Sequence, residues 1–321
     1  MTGFNFSGPT TGTNVVARNL VYNLSVASTS ATADVRGINF SSGIANVQNN
    51  MVRIGTNIAT GVTVTGLYEV ASTANSGIYF NSVYVGGTGV STETGNSYAF
   101  RSDQVTNVRT FQNNIFVNAR SNASTGGKHY AVRVAGTAPN PAGLTLNYND
   151  YQATGTGAMF GFFNSLDVAD LAAWRTATGQ DANSLNADPQ FIDPTNSTPD
   201  LHIHPTNPTV IEGAGIAVGA VTDDYDGQTR AGLTPTDIGA DAGNYGLAPL
   251  VGLTADITPL SLTVGGLSAR DKVYDATPTA TLSAGSVAGL VPGEASTGDK
   301  VWRGGITKAG NGRARRPDRP A

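Results

Sequence analysis

Side chains able to do acid–base or metal chemistry are sparse in this chain. Asp, Glu, Lys and Arg make up 13% of the 321 residues and cysteine is absent, against a usual charged share of roughly 25%. Neither a thiolate site nor a disulfide framework can form. The densest carboxylate group is the loop Asp223-Asp224-Tyr225-Asp226-Gly227. Ca²⁺ draws several oxygen ligands from such loops, so Asp223, Asp224 and Asp226 are the candidate metal ligands. The loop lacks the full D-x-[DN]-x-[DN]-G pattern and its downstream bidentate Glu. Turn formation, with Arg230 pairing a carboxylate, accounts for the same residues without a metal. His202 and His204 alternate along one extended segment, but Zn²⁺ needs a third ligand that the spacing does not supply. His129 is remote in sequence, and no Ser-His-Asp order can be assigned.

Glycoside hydrolysis needs two carboxyl groups about 5–10 Å apart. Strands stacked about 4.8 Å apart could bring them together if acids recurred at matching positions. In the first 150 residues the acids are Asp34, Glu69, Glu93, Asp103 and Asp150. Asp34 precedes its strand signal, Glu69 lies within one and Asp103 follows one, so no pair shares a face and no catalytic residue is assigned. Arg101 and Arg133 lie one repeat apart and would form a short basic ladder on a solvated face. Tyr68, Tyr79, Tyr84, Tyr98, Tyr130, Tyr148 and Tyr151 recur through the same region. Exposed, they could stack on sugar rings; otherwise they fill turns and half-buried positions.

The elements that would carry these residues repeat. One strand signal recurs in Gly37-Ile38-Asn39-Phe40, Gly66-Leu67-Tyr68-Glu69-Val70, Tyr98-Ala99-Phe100-Arg101 and Tyr130-Ala131-Val132-Arg133. Taking Ile38, Leu67, Ala99 and Ala131 as equivalents gives steps of 29, 32 and 32 residues. A second signal opens with Asn and alternates: Asn50-Met51-Val52-Arg53-Ile54, Asn81-Ser82-Val83-Tyr84-Val85 and Asn114-Ile115-Phe116-Val117, with an earlier copy expected at Asn23 and a later one within 147–151. Such a period, with short strands and no long helix, predicts a solenoid in which stacking buries each coil's apolar face. The recurring Asn is expected to form the turn, cap backbone groups and bond its counterparts in neighbouring coils. Residues 166–178 interrupt the pattern with a helix-permissive stretch that Gly179 would end. Extended segments are expected at 189–193, 200–204 and 236–240.

From 165 to 243 the order Trp174, Gly179, Asp188-Pro189-Gln190-Phe191, Asp200-Leu201-His202-Ile203, Glu212-Gly213-Ala214-Gly215, Asp223 to Arg230 and Asp237-Ile238-Gly239-Ala240 resembles the closing segment of bacterial extracellular right-handed parallel β-helix proteins of the pectate-lyase-like fold. In that family these motifs cap the last coil. The stretch Ile257-Thr258-Pro259-Leu260, Lys272-Val273-Tyr274-Asp275-Ala276-Thr277 and Gly289-Leu290-Val291-Pro292-Gly293-Glu294 is similar to YDG-type repeats of filamentous adhesins, with Ala276 where the glycine stands. These resemblances imply an all-β protein. A right-handed parallel β-helix with one short helix would occupy 1–248, its coils from about residue 10 and its closing segment at 165–243. A partial β-rich stalk unit would follow at 249–297 and a basic, disordered tail at 298–321. They also imply a non-catalytic extracellular scaffold or adhesin segment, partnered by a glycan or a host or neighbouring cell surface. A polysaccharide lyase or glycoside hydrolase is the alternative. No cofactor is expected apart from the Ca²⁺ considered above.

Charge and hydropathy add limits. The net charge is −4, yet from Gly298 onward seven Lys and Arg face only Asp299 and Asp318. This tail lacks the aromatic interleaving of a nucleic-acid surface and reads instead as a truncated or frame-shifted gene end, so no nucleic-acid partner is expected. No run of about 18 apolar residues predicts a membrane span. Met1-Thr2-Gly3-Phe4 is not a signal peptide, which places any export signal outside this chain.

Overall fold

The computed structural model describes residues 1–70, 75–92, 94–230 and 235–241, together with short strands at 263–266, 268–269, 282–283 and 286–288. The chain forms two compact units, Met1–Leu247 and Ala248–Ala321. In the second, Thr263–Gly265 pairs antiparallel with Ser286–Ala288, and Ser268–Ala269 with Leu282–Ser283. The Tyr274-Asp275-Ala276 signature and the basic tail lie outside the described residues.

The first unit is a parallel β-helix of about five coils with three strands per coil. One sheet stacks Thr2–Ser7, Asp34–Ser42, Thr63–Glu69, Ser97–Ser102, His129–Val134 and Ala158–Phe163 in parallel, then adds Leu166–Val168 antiparallel. The second sheet stacks Val15–Ala17, Ala45–Gln48, Ser76–Tyr79, Arg109–Gln112 and Leu144–Asn147. The third stacks Leu20–Tyr22, Met51–Ile54, Ser82–Val85, Ile115–Asn118 and Asp150–Ala153. The two sequence signals per coil are those of the first and third sheets; the second-sheet strand, which a two-residue corner separates from the third, carried no signal of its own. Thr2–Ser7 is already paired with Asp34–Ser42, so the stack starts earlier than residue 10.

That corner carries the recurring Asn. Arg18, Asn49, Phe80, Asn113 and Tyr148 adopt left-handed backbone, with φ from 52° at Asn49 to 60° at Asn113. Each is followed by a ladder residue: Asn19, Asn50, Asn81, Asn114 and Asn149. The Nδ2 of each donates to the Oδ1 of the next at 2.8–2.9 Å, across separations of 31, 31, 33 and 35 residues. Backbone N–H groups of Asn19, Asn50, Asn81 and Asn114 use the same acceptors. Ser184 accepts from the N–H of Asn149 and Asp181 from its Nδ2, ending the ladder. The earlier copy is therefore Asn19, not Asn23: both precede apolar residues, but Leu20 is the one in register with Met51.

Register corrects the first repeat as well. Ile38 and Leu67 stand opposite Phe100 and Val132, not Ala99 and Ala131. The alanines continue the column of Gly37 and Gly66, where space is short. A Cβ on Gly66 would meet Val83 Cγ1 at 2.3 Å and the Ala99 carbonyl at 2.6 Å. The interior is apolar, with Phe100, Phe116, Tyr151, Phe160 and Trp174 in successive ring contact at 4.7–6.0 Å. The helix spans Leu171–Thr178, not 166–178. Asp170 caps its first turn, Gly179 ends it in left-handed conformation, and Leu166–Val168 is a strand. No helix among the described residues is long and apolar enough to cross a membrane.

Because Asn114 is fully buried and serves both neighbours, Asn114→Ala orphans several groups, a cost of about 3 kcal/mol. Exposed Asn57→Ala should stay within about 0.5 kcal/mol. Urea unfolding of the two variants checks this, and equal midpoints would show that the ladder adds nothing to the turn.

Candidate ligand-binding face

The outer face of the first sheet carries the richest side-chain chemistry. In His129-Tyr130-Ala131-Val132-Arg133, Val132 is in the core while Tyr130 and Arg133, three residues apart, both lie on the outer side, so strict alternation is broken at the tight small-residue column. Parallel register then builds two outward columns. One runs Asn5, Asn39, Tyr68, Arg101, Arg133, Phe162, and the other Arg36, Thr65, Tyr98, Tyr130, Met159.

The columns interlock through rings and guanidinium planes. Arg36 and Arg101 lie over Tyr68 at 4.5 and 4.7 Å, and Arg133 lies over Phe162 at 5.3 Å. Tyr98 and Tyr130 stack with centroids 5.3 Å apart and planes 8° from parallel. Such contacts contribute roughly 0.5–1 kcal/mol each at partly exposed sites. Asp103 gathers the centre, accepting from Arg101, from the Tyr68 hydroxyl at 2.6 Å and pairing with Arg133 at 3.2 Å. Burial would raise the Asp103 pKa, but these donors outweigh it and hold the carboxyl below its usual range. Burial and the Asp103 bond push the Tyr68 phenol up to about 12. The tyrosines are covered rather than projecting, with Tyr68 at 7% and Tyr130 at 2% exposure, and the guanidinium groups form the accessible layer.

Beyond Tyr130 the face opens into a groove of about 430 Å³ lined by Thr94, Asn96, Lys128, Tyr130, Phe162, Ser165, Leu166 and Asp167, within the size range of ligand clefts. Asp167 pairs with Lys128 and accepts from the Tyr130 hydroxyl at 2.8 Å. The Lys128 bond holds its carboxyl below the usual range. Lys128, Phe162 and Asp167 carried no recognised sequence signal. In their coil, bulky Phe160 occupies the small-residue column and Gly161 shifts by one, because Trp174 packs where a Gly161 Cβ would stand.

The structure places the sequence-selected metal candidates elsewhere. After the helix, residues 185–230 and 235–241 lie along the outer face of the third sheet, between the last coil and the first. This segment covers a sheet face rather than capping the last coil, because Ile115, Val117 and Met51 present apolar side chains there. Ile203, Ile211 and Ile238 pack on the first two, Leu201 and Ala240 on the third. Asp237-Ile238-Gly239-Ala240 forms bends, not a strand. At the far end Asp223 pairs with Arg18 at 3.3 Å, Asp224 closes a turn onto the Gln228 N–H, and Asp226 bonds His202. The three carboxylates thus diverge to separate partners, and no group of three or more His, Cys, Asp or Glu among the described residues is placed to hold a metal. His202 is held between Asp200 and Asp226, whereas His204 meets Thr206. His129 is buried against Ser97 and Asn122, and burial with the Arg120 charge lowers its pKa to about 4. Arg230 bonds Asn49 and the carbonyls of Gly239 and Ala240.

Several acids under this returning segment resist ionisation. Burial pushes Asp150 up to about 7, and burial with Asp237 and Asp241 nearby does the same to Glu212. His202 is shifted up because its Asp200 bond and surrounding carboxylates outweigh burial. A raised folded-state pKa gives stability that is complete below the unfolded value, about 4 for the carboxyls, and lost as pH rises through about 7. The segment should therefore open more readily at about pH 8 than at about pH 5. Hydrogen exchange of its amides, corrected for intrinsic rate, measures this. Asp150→Asn should flatten the dependence, and a segment that tightens with pH would contradict the assignment.

Comparison with protein-family models, with curated proteins and with solved structures found no match for this chain.

Proposed function

We propose that this protein is a non-catalytic extracellular scaffold or adhesin segment that binds glycan along the outer face of the first sheet. One observation carries the reading: the face is a continuous layer of arginine and aromatic side chains in which every acid is engaged. Asp34 pairs with Arg36, Asp103 with Arg101 and Arg133, and Asp167 with Lys128. Flat guanidinium planes repeated at the coil spacing, with the half-buried Phe162 ring beside them, suit many weak contacts to an extended sugar chain. A hydrolase or lyase, the alternative, would instead require a carboxylate or base released from such pairing. The resemblances to extracellular β-helix proteins and YDG-type repeats support display at a cell surface, with the β-helix as the presented part.

The test is a panel of acidic and neutral polysaccharides, with and without Ca²⁺, read in parallel for retention and product release. Retention without new reducing ends or unsaturated uronates is expected. Arg133→Ala with Phe162→Ala should weaken binding about tenfold, through loss of roughly 1.4 kcal/mol of contact energy. Product release would establish the enzyme alternative. Retention of no glycan would leave a spacer.

A further inference from the structure

The second sheet presents an outer face whose chemistry differs from that of the first. Strand alternation turns Val16, Val47, Ile78, Phe111 and Leu146 inward, where they are buried. Register then builds two outward columns. One carries Asn46, Gly77, Thr110 and Thr145. The other carries Gln48, Tyr79, Gln112 and Asn147. None of these residues is charged, and Arg109, the one charged residue on the five strands, is fully buried. Thr145 is exposed and the others, Gly77 apart, are half-buried, so the face is open to solvent.

Tyr79 lies flat in this face. A Cβ on Gly77, two residues earlier on the same strand, would stand 2.3 Å from Tyr79 Cε2 and 2.8 Å from its Cζ. The ring thus fills the space that any larger residue at 77 would claim, with one side on the sheet and the other toward solvent. Thr110, opposite Gly77 in the next coil, hydrogen-bonds the phenol. No guanidinium among the described residues covers this ring, as Arg36 and Arg101 cover Tyr68 on the first sheet.

A fixed, uncharged aromatic platform bordered by carboxamides and hydroxyls favours a ligand with a matching outline. Carboxamides and hydroxyls both donate and accept hydrogen bonds, and an aromatic ring takes an apolar C–H surface. A pyranose offers such a surface with a rim of hydroxyls. Chains bearing phosphate or carboxylate need cations to neutralise them, and this face has none. The columns repeat at the strand spacing of about 4.8 Å, so a chain laid along them passes from Tyr79 to Gln112 and Thr145.

We propose that the outer face of the second sheet is a separate carbohydrate site, in which one pyranose of a neutral polysaccharide stacks on Tyr79 and its neighbours bond Gln112 and Thr145. The site does not depend on the arginine layer of the first sheet and stands if that layer binds no glycan.

The experiment titrates the full chain with cellohexaose, mannohexaose, hexagalacturonate and hexaproline, following the amide NMR shifts of Gly77, Thr110 and Gln112. Resonances of Tyr98 and Phe162 report the first sheet separately. At least one neutral hexasaccharide should shift the second-sheet amides with Kd on the order of 1 mM. That affinity should hold between about 0.05 and 0.5 M salt, because no counterion is released. Tyr79→Ala should weaken it about tenfold, whereas Tyr79→Phe, which keeps the ring face, should stay within about twofold. Gly77→Ala should act like Tyr79→Ala, since its Cβ lifts the ring off the sheet. Thermal midpoints show that each variant is folded, and the Tyr79 pair decides the matter if Gly77→Ala is not. Unchanged affinity in Tyr79→Ala would overturn the assignment. So would hexagalacturonate or hexaproline binding there as tightly as the neutral sugars, or no second-sheet shift with either neutral sugar at tens of millimolar.

Discussion

Each coil must return its three strands to hydrogen-bonding distance of the coil before it, about 4.8 Å away. That single requirement disciplines the rest of the molecule. The steps between ladder residues vary from 31 to 35, so loops absorb the difference while the corner does not move. The corner is fixed by a left-handed residue and by an amide that serves as donor downward and acceptor upward. It tolerates Arg18, Phe80 and Tyr148 at positive φ, although such residues disfavour it, because the ladder and both flanking strands over-determine the backbone there.

Stacking in register also turns sequence repetition into surface chemistry. A residue type repeated one coil apart becomes a column, as Tyr98 with Tyr130 and Arg101 with Arg133. Substitution within a column creates the contacts between them: Tyr68 next to Arg101 and Phe162 next to Arg133 give the cation–ring layer. The same registry leaves the third sheet with an apolar outer face, and the returning segment covers it.

The returning segment divides the labour of its polar residues. Arg18 and Asn49, at the corners of the first coils, hold its far end. Burial shifts three of its carboxyl groups, Glu212, Asp237 and Asp241, toward their neutral forms.

The repeat, the strand signals and the role of the recurring Asn were legible from residues alone, because a period of about one coil is written into types and spacing. Arg101 and Arg133 as a ladder were legible for the same reason. The second-sheet strand was hidden because a corner of only two residues separates it from the next, and the first-sheet strand Ala158–Phe163 was hidden by Phe160 and Gly161. Sequence proximity clusters Asp223, Asp224 and Asp226 in one loop, and folding directs them to Arg18, Gln228 and His202. Such pairings join residues as much as 205 positions apart, with no periodicity to announce them. Local spacing determined the coil; only the tertiary structure decided which sheet face the closing segment would cover, because that depends on which apolar surface the stacked coils leave unburied.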